Sequence, residues 1–288
     1  MKICALTMVY RDHWALSQWY AHFARALGAE NLFVVAHGAD PELARICPGA
    51  SIITVPRDSL KGFDRTRGRM LNSISDGLGE VYDWVIRTDA DELICLDPGR
   101  HDSFAAFFAQ IKARAVFALG LNLAEVDGDA PMADGQRVLE ARRLAVFSGH
   151  YSKAWAMRKG VALMRHGVQL RPRRVARFDH VLPRGVYLVH LKFANVAALE
   201  AANRHRREIA SGDERGLPGT AWRKPERDAA RFFADVARMP DIDWEEASER
   251  AWNEVQGDPV RDMQTGLVRS RSVRFDFRTT LPTWFGDA

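Results

Sequence analysis

Cysteine is scarce in this chain. Only Cys4, Cys47 and Cys95 occur, far apart and without a Cys-x-x-Cys pair. An odd number cannot close into a full disulfide set, and no Cys/His cluster has zinc-site spacing, so neither a disulfide scaffold nor a zinc module is written here. Each cysteine stands in or near an apolar run, and the expectation is buried free thiols in a reducing compartment. Long apolar stretches are also missing, since nothing approaches the ~20 residues of a membrane span. The opening run, Lys2 to Val9, meets Arg11 and Asp12 too early for a secretory signal of the usual kind. These absences lead to the expectation of a cytoplasmic protein whose only membrane contact would be peripheral, at the inner face. No Walker loop, Gly-x-Ser-x-Gly elbow or His-Glu-x-x-His pair is present, which removes the P-loop, hydrolase and zincin readings.

What is there is an ordinary globular composition. The 288 residues are 47% hydrophobic and 27% charged, enough to bury a core in one large α/β domain with an elaboration or in two small ones. The net charge of +4 is carried mostly by arginine. Guanidinium forks match phosphate geometry, which allows an anionic ligand, but so small a net charge on this length is more often the charge of a solvated surface. No repeat or low-complexity tract is visible.

The first hundred residues alternate strand-like and helix-like segments. Residues 2–9 (KICALTMV) read as a strand covered on both faces. Asp12 can cap the next helix, whose Leu16, Trp19, Tyr20, Phe23 and Leu27 form one apolar stripe before Gly28 stops it. Residues 32–36 and 52–55 predict two more buried strands, 64–78 a helix, and 82–88 a strand. This is the pattern of a doubly wound, mostly parallel sheet. Beyond it, 103–113 predicts a helix, 116–124, 152–158 and 186–191 predict strands, and 126–143 a surface loop. From about 195 the periodicity becomes helical, over 196–211 and 225–238, and the tail 268–288 has no clear period. The expected division is a nucleotide-binding core over 1–195 and a helical region with an extended tail over 196–288.

The strand at 82–88 ends directly in Asp89-Ala90-Asp91-Glu92, followed by the apolar pair Leu93-Ile94. Ligands of open α/β sheets gather beyond the carboxyl ends of strands. Carboxylates one residue apart in such a turn can converge, and hard cations such as Mn²⁺ or Mg²⁺ prefer oxygen donors. Packing three acids between two apolar strands is costly without a counter-charge. An isolated Asp-x-Asp is common in solvated turns, so its position carries the argument.

Four stretches belong together: KICALTMVYRD with its amphipathic helix, Leu27-Gly28 ahead of the second strand, DRTRGRMLN at 64–72, and DWVIRTDADE at 83–92. In these, and in element order over roughly residues 1–200, the chain resembles the family-2-like glycosyltransferases of the GT-A fold, bacterial members especially. The resemblance implies a GT-A nucleotide-sugar-binding core, a divalent metal, and transfer from a nucleotide-diphosphate sugar, UDP-sugar first, to a hydroxyl of a glycan or glycolipid acceptor in cell-surface or polysaccharide synthesis. It implies nucleotide contacts at Thr7, Val9 and Arg11, a base contact at Asp40, ribose and metal contact at Asp89, metal ligation and catalysis at Asp91, and a late metal or diphosphate ligand at His190. Where many members have Asn-Glu after the first strand, this chain has Arg11-Asp12.

Other residues stand beside these as candidates. Arg65, Arg67 and Arg69 lie where the second helix begins, and Arg69 is the favoured diphosphate contact. Glu125 and Asp127, at the exit of the 116–124 strand, are candidate general bases, with Glu92 and His166 behind them. Ser152, Lys153 and Trp155 could line an acceptor pocket, although a core role suits Trp155 equally. The run Arg204 to Arg207 reads as a polar helix face that could close over a diphosphate or touch anionic lipid. Two alternatives stay open: a nucleotidyltransferase on a similar sheet, for which MVYRDHW lacks a Gly-rich phosphate loop, and a non-catalytic basic protein binding nucleotide, glycan or nucleic acid. No nucleic-acid partner is expected.

Overall fold

The computed structural model describes residues 1–57, 63–211, 225–255 and 259–288. Its first half runs β1 (Ile3–Val9), α1 (His13–Leu27), β2 (Leu32–His37), α2 (Glu42–Ile46), β3 (Ser51–Val55), α3 (Phe63–Leu78), β4 (Trp84–Arg87), β5 (Glu92–Leu96), α4 (Phe104–Gln110), β6 (Ala115–Phe117) and β7 (Leu119–Ala124). Then follow α5 (Val138–Ala141), β8 (Leu144–Phe147), β9 (Ala154–Met157), β10 (Ala162–Met164), β11 (Gln169–Arg171), β12 (His180–Val181) and β13 (Val186–Phe193). The remainder is α6 (Val196–Ser211), α7 (Pro225–Arg238), α8 (Trp244–Val255), β14 (Val260–Asp262), β15 (Leu267–Arg269), β16 (Thr279–Thr280) and α9 (Trp284–Asp287).

A seven-stranded sheet has the order β12-β6-β9-β4-β1-β2-β3. Its β4-β1-β2-β3 half is all parallel, while β9 runs antiparallel to both β4 and β6. All of β1 is buried, and it divides its side chains between two cores, as period-two alternation requires. Ala5 and Val9 join Leu16, Trp19 and Phe23 of α1; Cys4, Leu6 and Met8 join Leu71 of α3. Asp12 accepts the Ala15 N–H at 3.3 Å to cap α1, and Gly28 ends it at φ 85°. These elements follow the sequence reading closely. β3 does not: as the edge strand it leaves Ser51, Ile53 and Thr54 exposed, where the run IITV predicts burial.

The run 116–124, expected to be one strand, is two strands in different sheets. The chain leaves the first sheet at Ala118, and β7 enters a five-stranded sheet of order β16-β8-β7-β13-β5. Because both strands are buried on both faces, the apolar pattern shows no break. Gly120 permits the crossing, since a Cβ there would lie 2.1 Å from the Tyr151 carbonyl carbon. The expected loop 126–143 contains the short helix α5. Past residue 195 the chain is more than helical: α8 adds to α6 and α7, β15 pairs with β11 and β16 with β8, so the last segment is woven into sheets begun earlier.

This topology positions the acidic turn. β4 belongs to the first sheet and β5 to the second, so residues 88–91 cross between them. β13 runs antiparallel to β5 with His190 opposite Glu92, and parallel to β7 with His190 opposite Asn122.

Candidate functional site

The turn is pinned before its carboxylates are placed. Thr88 Oγ1 accepts the indole N–H of Trp19 at 2.9 Å, and the backbone N–H of Leu191 donates to the Asp91 carbonyl at 2.8 Å. Glu92, fully buried, turns back so that Oε2 accepts the Asp89 N–H at 3.1 Å, while Oε1 lies 2.6 Å from Lys153 Nζ. Burial pushes the Glu92 carboxyl above its ordinary range even with Lys153 beside it.

Asp89 is ringed by cations. Oδ1 accepts from Arg67 Nη2 at 2.6 Å, Oδ2 accepts from His166 Nδ1–H at 2.7 Å, and Lys153 Nζ stands 3.8 Å away. Burial would raise this carboxyl; His166, Arg67 and Lys153 outweigh it and hold the group well below the usual carboxylate range. Arg67 Nη1 also lies 2.7 Å from His166 Nδ1. That nitrogen already donates to Asp89, so this is packing of guanidinium against imidazole and not a second hydrogen bond. His166 reaches the site from a left-handed turn, φ 56°, followed by Gly167 at φ 92°, where a Cβ would meet the Ala154 carbonyl oxygen at 2.2 Å.

Asp91 has fewer partners. Its Oδ2 is 3.2 Å from His190 Nε2. Burial raises this carboxyl and His190 more than offsets it, leaving it below its ordinary value; Arg206 of α6 adds to the lowering. The buried His190 donates from Nδ1 to Asn122 Oδ1 at 2.8 Å and stacks on Tyr151 with ring centroids 3.8 Å apart. With Nδ1 committed as donor, Nε2 meets Asp91 either as an N–H or as a lone pair with a cation between them. Asp12 lies close by, its carboxyl raised to about 6 by burial and by the charge of Asp91.

Among the described residues, Asp89, Asp91 and Glu92 form the group whose ligating oxygens all fall within 4.8 Å of one another. The donor chemistry fits a divalent cation at the Asp91 end: a carboxylate with spare lone pairs beside an imidazole nitrogen oriented by an outer hydrogen bond. Glu92, bound to Lys153 and to backbone, holds the turn.

The exits of β1, β2 and β3 gather a second set of residues. Asp40 accepts from His13 Nε2 at 2.7 Å and from the Glu42 N–H at 3.1 Å. Burial would raise its carboxyl, but these bonds, with the charges of His13 and Arg11, leave it lowered. Arg57 lies over the Tyr10 ring at 3.6 Å and donates to His37 Nδ1 at 2.9 Å. Arg11 is exposed at φ 52°, 5.4 Å from the same ring. Of the other nucleotide-side positions, Thr7 and Val9 are buried within β1. Of the arginines that open α3, Arg69 is exposed, and Arg67, two residues earlier, is the one that enters the acidic turn.

Glu125 is not poised as a base. Its Oε2 accepts the Val196 N–H that opens α6, at 2.9 Å, and pairs with buried Arg142 at 3.1 Å. Asp127 is exposed on the following turn. Trp155 is core, packed on Phe107 and Phe108, and Ser152 Oγ accepts the Gly120 N–H at 2.9 Å. Sequence reasoning passed over Asn122 and Tyr151. Asn122 had a signal, as the one polar side chain in the run VFALGLNLA.

No family model and no curated protein sequence matches the chain. Among solved structures it is similar to mannose-1-phosphate geranyltransferase from Thermus thermophilus, with TM-score 0.31 and 13% identity over 99% of this chain and 77% of that one. It is also similar to CMP:2-keto-3-deoxy-manno-octonic acid synthetase complexed with CTP, with TM-score 0.29 and 11% identity over 81% of this chain and 99% of that one. Both TM-scores are too low to define a shared fold, so these likenesses carry no functional argument.

Proposed function

We propose that the chain is a metal-dependent glycosyltransferase that moves a sugar from a nucleotide-diphosphate donor to a hydroxyl acceptor. One observation carries this reading: Asp91 and a tautomer-fixed His190 face each other at 3.2 Å, beside Asp89, at the carboxyl rim of a parallel sheet. Asp91 and His190 would hold Mn²⁺ or Mg²⁺, with an Asp89 oxygen in reach. When bound, such an ion offsets charge developing on the departing diphosphate.

The protein's own groups divide the remaining work. Arg67 and Lys153 neutralise Asp89, so that the rim repels an incoming diphosphate less than three bare carboxylates would. Asn122 and Tyr151 fix the plane of His190. Tyr10, His37, Asp40 and Arg57, at the exits of the first three strands, offer an aromatic face, donors and an acceptor to a nucleotide base and ribose. With Glu125 engaged in capping α6 and Asp12 in capping α1, the acceptor-side base is left to other groups near Asp91.

The test is a donor screen with Mn²⁺, scored by release of nucleoside diphosphate, UDP-sugars first. Metal-dependent release that is lost with EDTA supports the reading. Absence of both donor turnover and metal-dependent nucleoside diphosphate binding would overturn it, and pyrophosphate release from a nucleoside triphosphate and a sugar phosphate would replace it with the nucleotidyltransferase reading.

A further inference from the structure

From Ala141 to Phe178 the sequence contains no aspartate or glutamate. Within that span Arg165, Arg171, Arg173, Arg174 and Arg177 are all exposed, and among the described residues no acidic side chain pairs with any of the five. Other cations of the span are spent internally: Arg142 on Glu125, Lys153 on Glu92, and Lys159 on Glu80. The five are a surplus of positive charge, and four of them lie on the surface of β11 and the turn that follows it.

The fold holds that surface in shape. β11 pairs with β10 on one side and β15 on the other. Leu163, Leu170 and Val268 turn inward and are buried, so Gln169 and Arg171 stand on the outer face. Gln169 pairs with Arg269, which brings exposed Arg269 onto that face as well. The turn after β11 is fastened from β14: Arg261 Nη1 donates to the carbonyls of Val175 at 2.8 Å and Phe178 at 2.7 Å. The acids nearby are Asp262, which accepts the N–H groups of Gln264 and Thr265 and lies 3.9 Å from Arg269, and exposed Asp179.

We propose that this arginine face docks on an anionic phospholipid bilayer. Guanidinium groups match headgroup phosphates, and juxtamembrane basic clusters gain from the negative surface potential of such a membrane. Apolar groups accompany the charges: Val175 and exposed Ala176 sit between Arg174 and Arg177, and Met263, 62% exposed, stands on the β14–β15 hairpin. A single-stranded nucleic-acid partner would call for stacking platforms. Among the described residues the exposed large hydrophobic ones are Met1, Ile53, Val81 and Met263, with no aromatic ring among them. The inference rests on the distribution of charge and is independent of the transferase reading. It has a positional consequence, because the same basic run carries His166 into the acidic turn and so sets the site beside the membrane.

Co-sedimentation of the full chain tests it, using vesicles of phosphatidylcholine alone and of phosphatidylcholine with phosphatidylglycerol. The expected result is binding to the anionic vesicles only, weakening as salt is raised. Replacing Arg171, Arg173, Arg174 and Arg177 by serine weakens binding about fivefold per arginine, with the melting temperature held; replacing them by lysine retains it. If the serine variant does not fold, Arg173→Glu with Arg174→Glu, both on the exposed turn, serves instead. Equal binding to neutral vesicles, no binding to anionic ones, unaltered binding by the charge-removed variant, or tighter binding to a single-stranded oligonucleotide would each overturn the proposal.

Discussion

Asp89 and Asp91 are one residue apart and live in different company. Asp89 is saturated: Arg67 takes one oxygen, His166 the other, and Lys153 stands behind. Asp91 meets one imidazole at 3.2 Å, and among its other neighbours Asp12, Asp89 and Glu92 are acids. A further cation gains little at the first carboxylate and relieves repulsion at the second. The comparison therefore separates two jobs that an Asp-x-Asp triplet alone cannot separate: one carboxylate holds the turn together, and the other has capacity for a ligand.

The largest effect should come from the saturated side. Lys153 is 3% exposed and Glu92 1%, so Lys153→Met leaves a buried carboxyl without its counter-charge. We expect a loss of ~3–5 kcal/mol in urea unfolding, and a loss below about 1 kcal/mol would break the assignment of this side to stability.

The acid sensitivity of the fold is separable from that of the site. His22 is buried against the Ile94 carbonyl, and burial lowers its pKa from 6.5 to about 4. Between those values the unfolded chain binds a proton that the folded chain refuses. Stability is therefore full above pH 6.5 and falls by up to about 3 kcal/mol as the pH drops toward 4. His22→Leu should flatten this part of the stability curve, whereas Asp91→Asn should leave it in place. A smaller effect is expected at Asn122, which touches no ligand and only orients His190. Asn122→Leu should weaken Mn²⁺ binding about 10- to 100-fold with little change in nucleotide binding without metal; equal metal affinity would remove the histidine from the cation side.

The same contrast explains what could be read from the sequence. β1, α1, β2, α3 and β4 alternate along the chain with clear stop signals between them, so period and punctuation suffice to outline them, while the return of β4 to the side of β1 is left to the fold. The acidic turn stands out because it ends an apolar strand. Its neighbours are less legible. Lys153 stands just ahead of β9 of the first sheet, while Asn122 and His190 come from β7 and β13 of the second, and the register that decides which polar side chains meet leaves no mark in a run buried on both faces. The break at Ala118 is hidden for the same reason. Arg67 and Arg69 look alike in sequence and are separated only by the rotation of α3. Glu125 looks like a free carboxylate until α6 begins above it.

The most direct test of the division of labour is a Mn²⁺ titration, read by electron paramagnetic resonance, of the wild-type chain, Asp91→Asn and Asp89→Asn. Affinity should fall at least about 100-fold in Asp91→Asn and much less in Asp89→Asn, whose loss should appear in folding stability instead. Unchanged Mn²⁺ affinity in Asp91→Asn, or a greater loss in Asp89→Asn, would contradict the account.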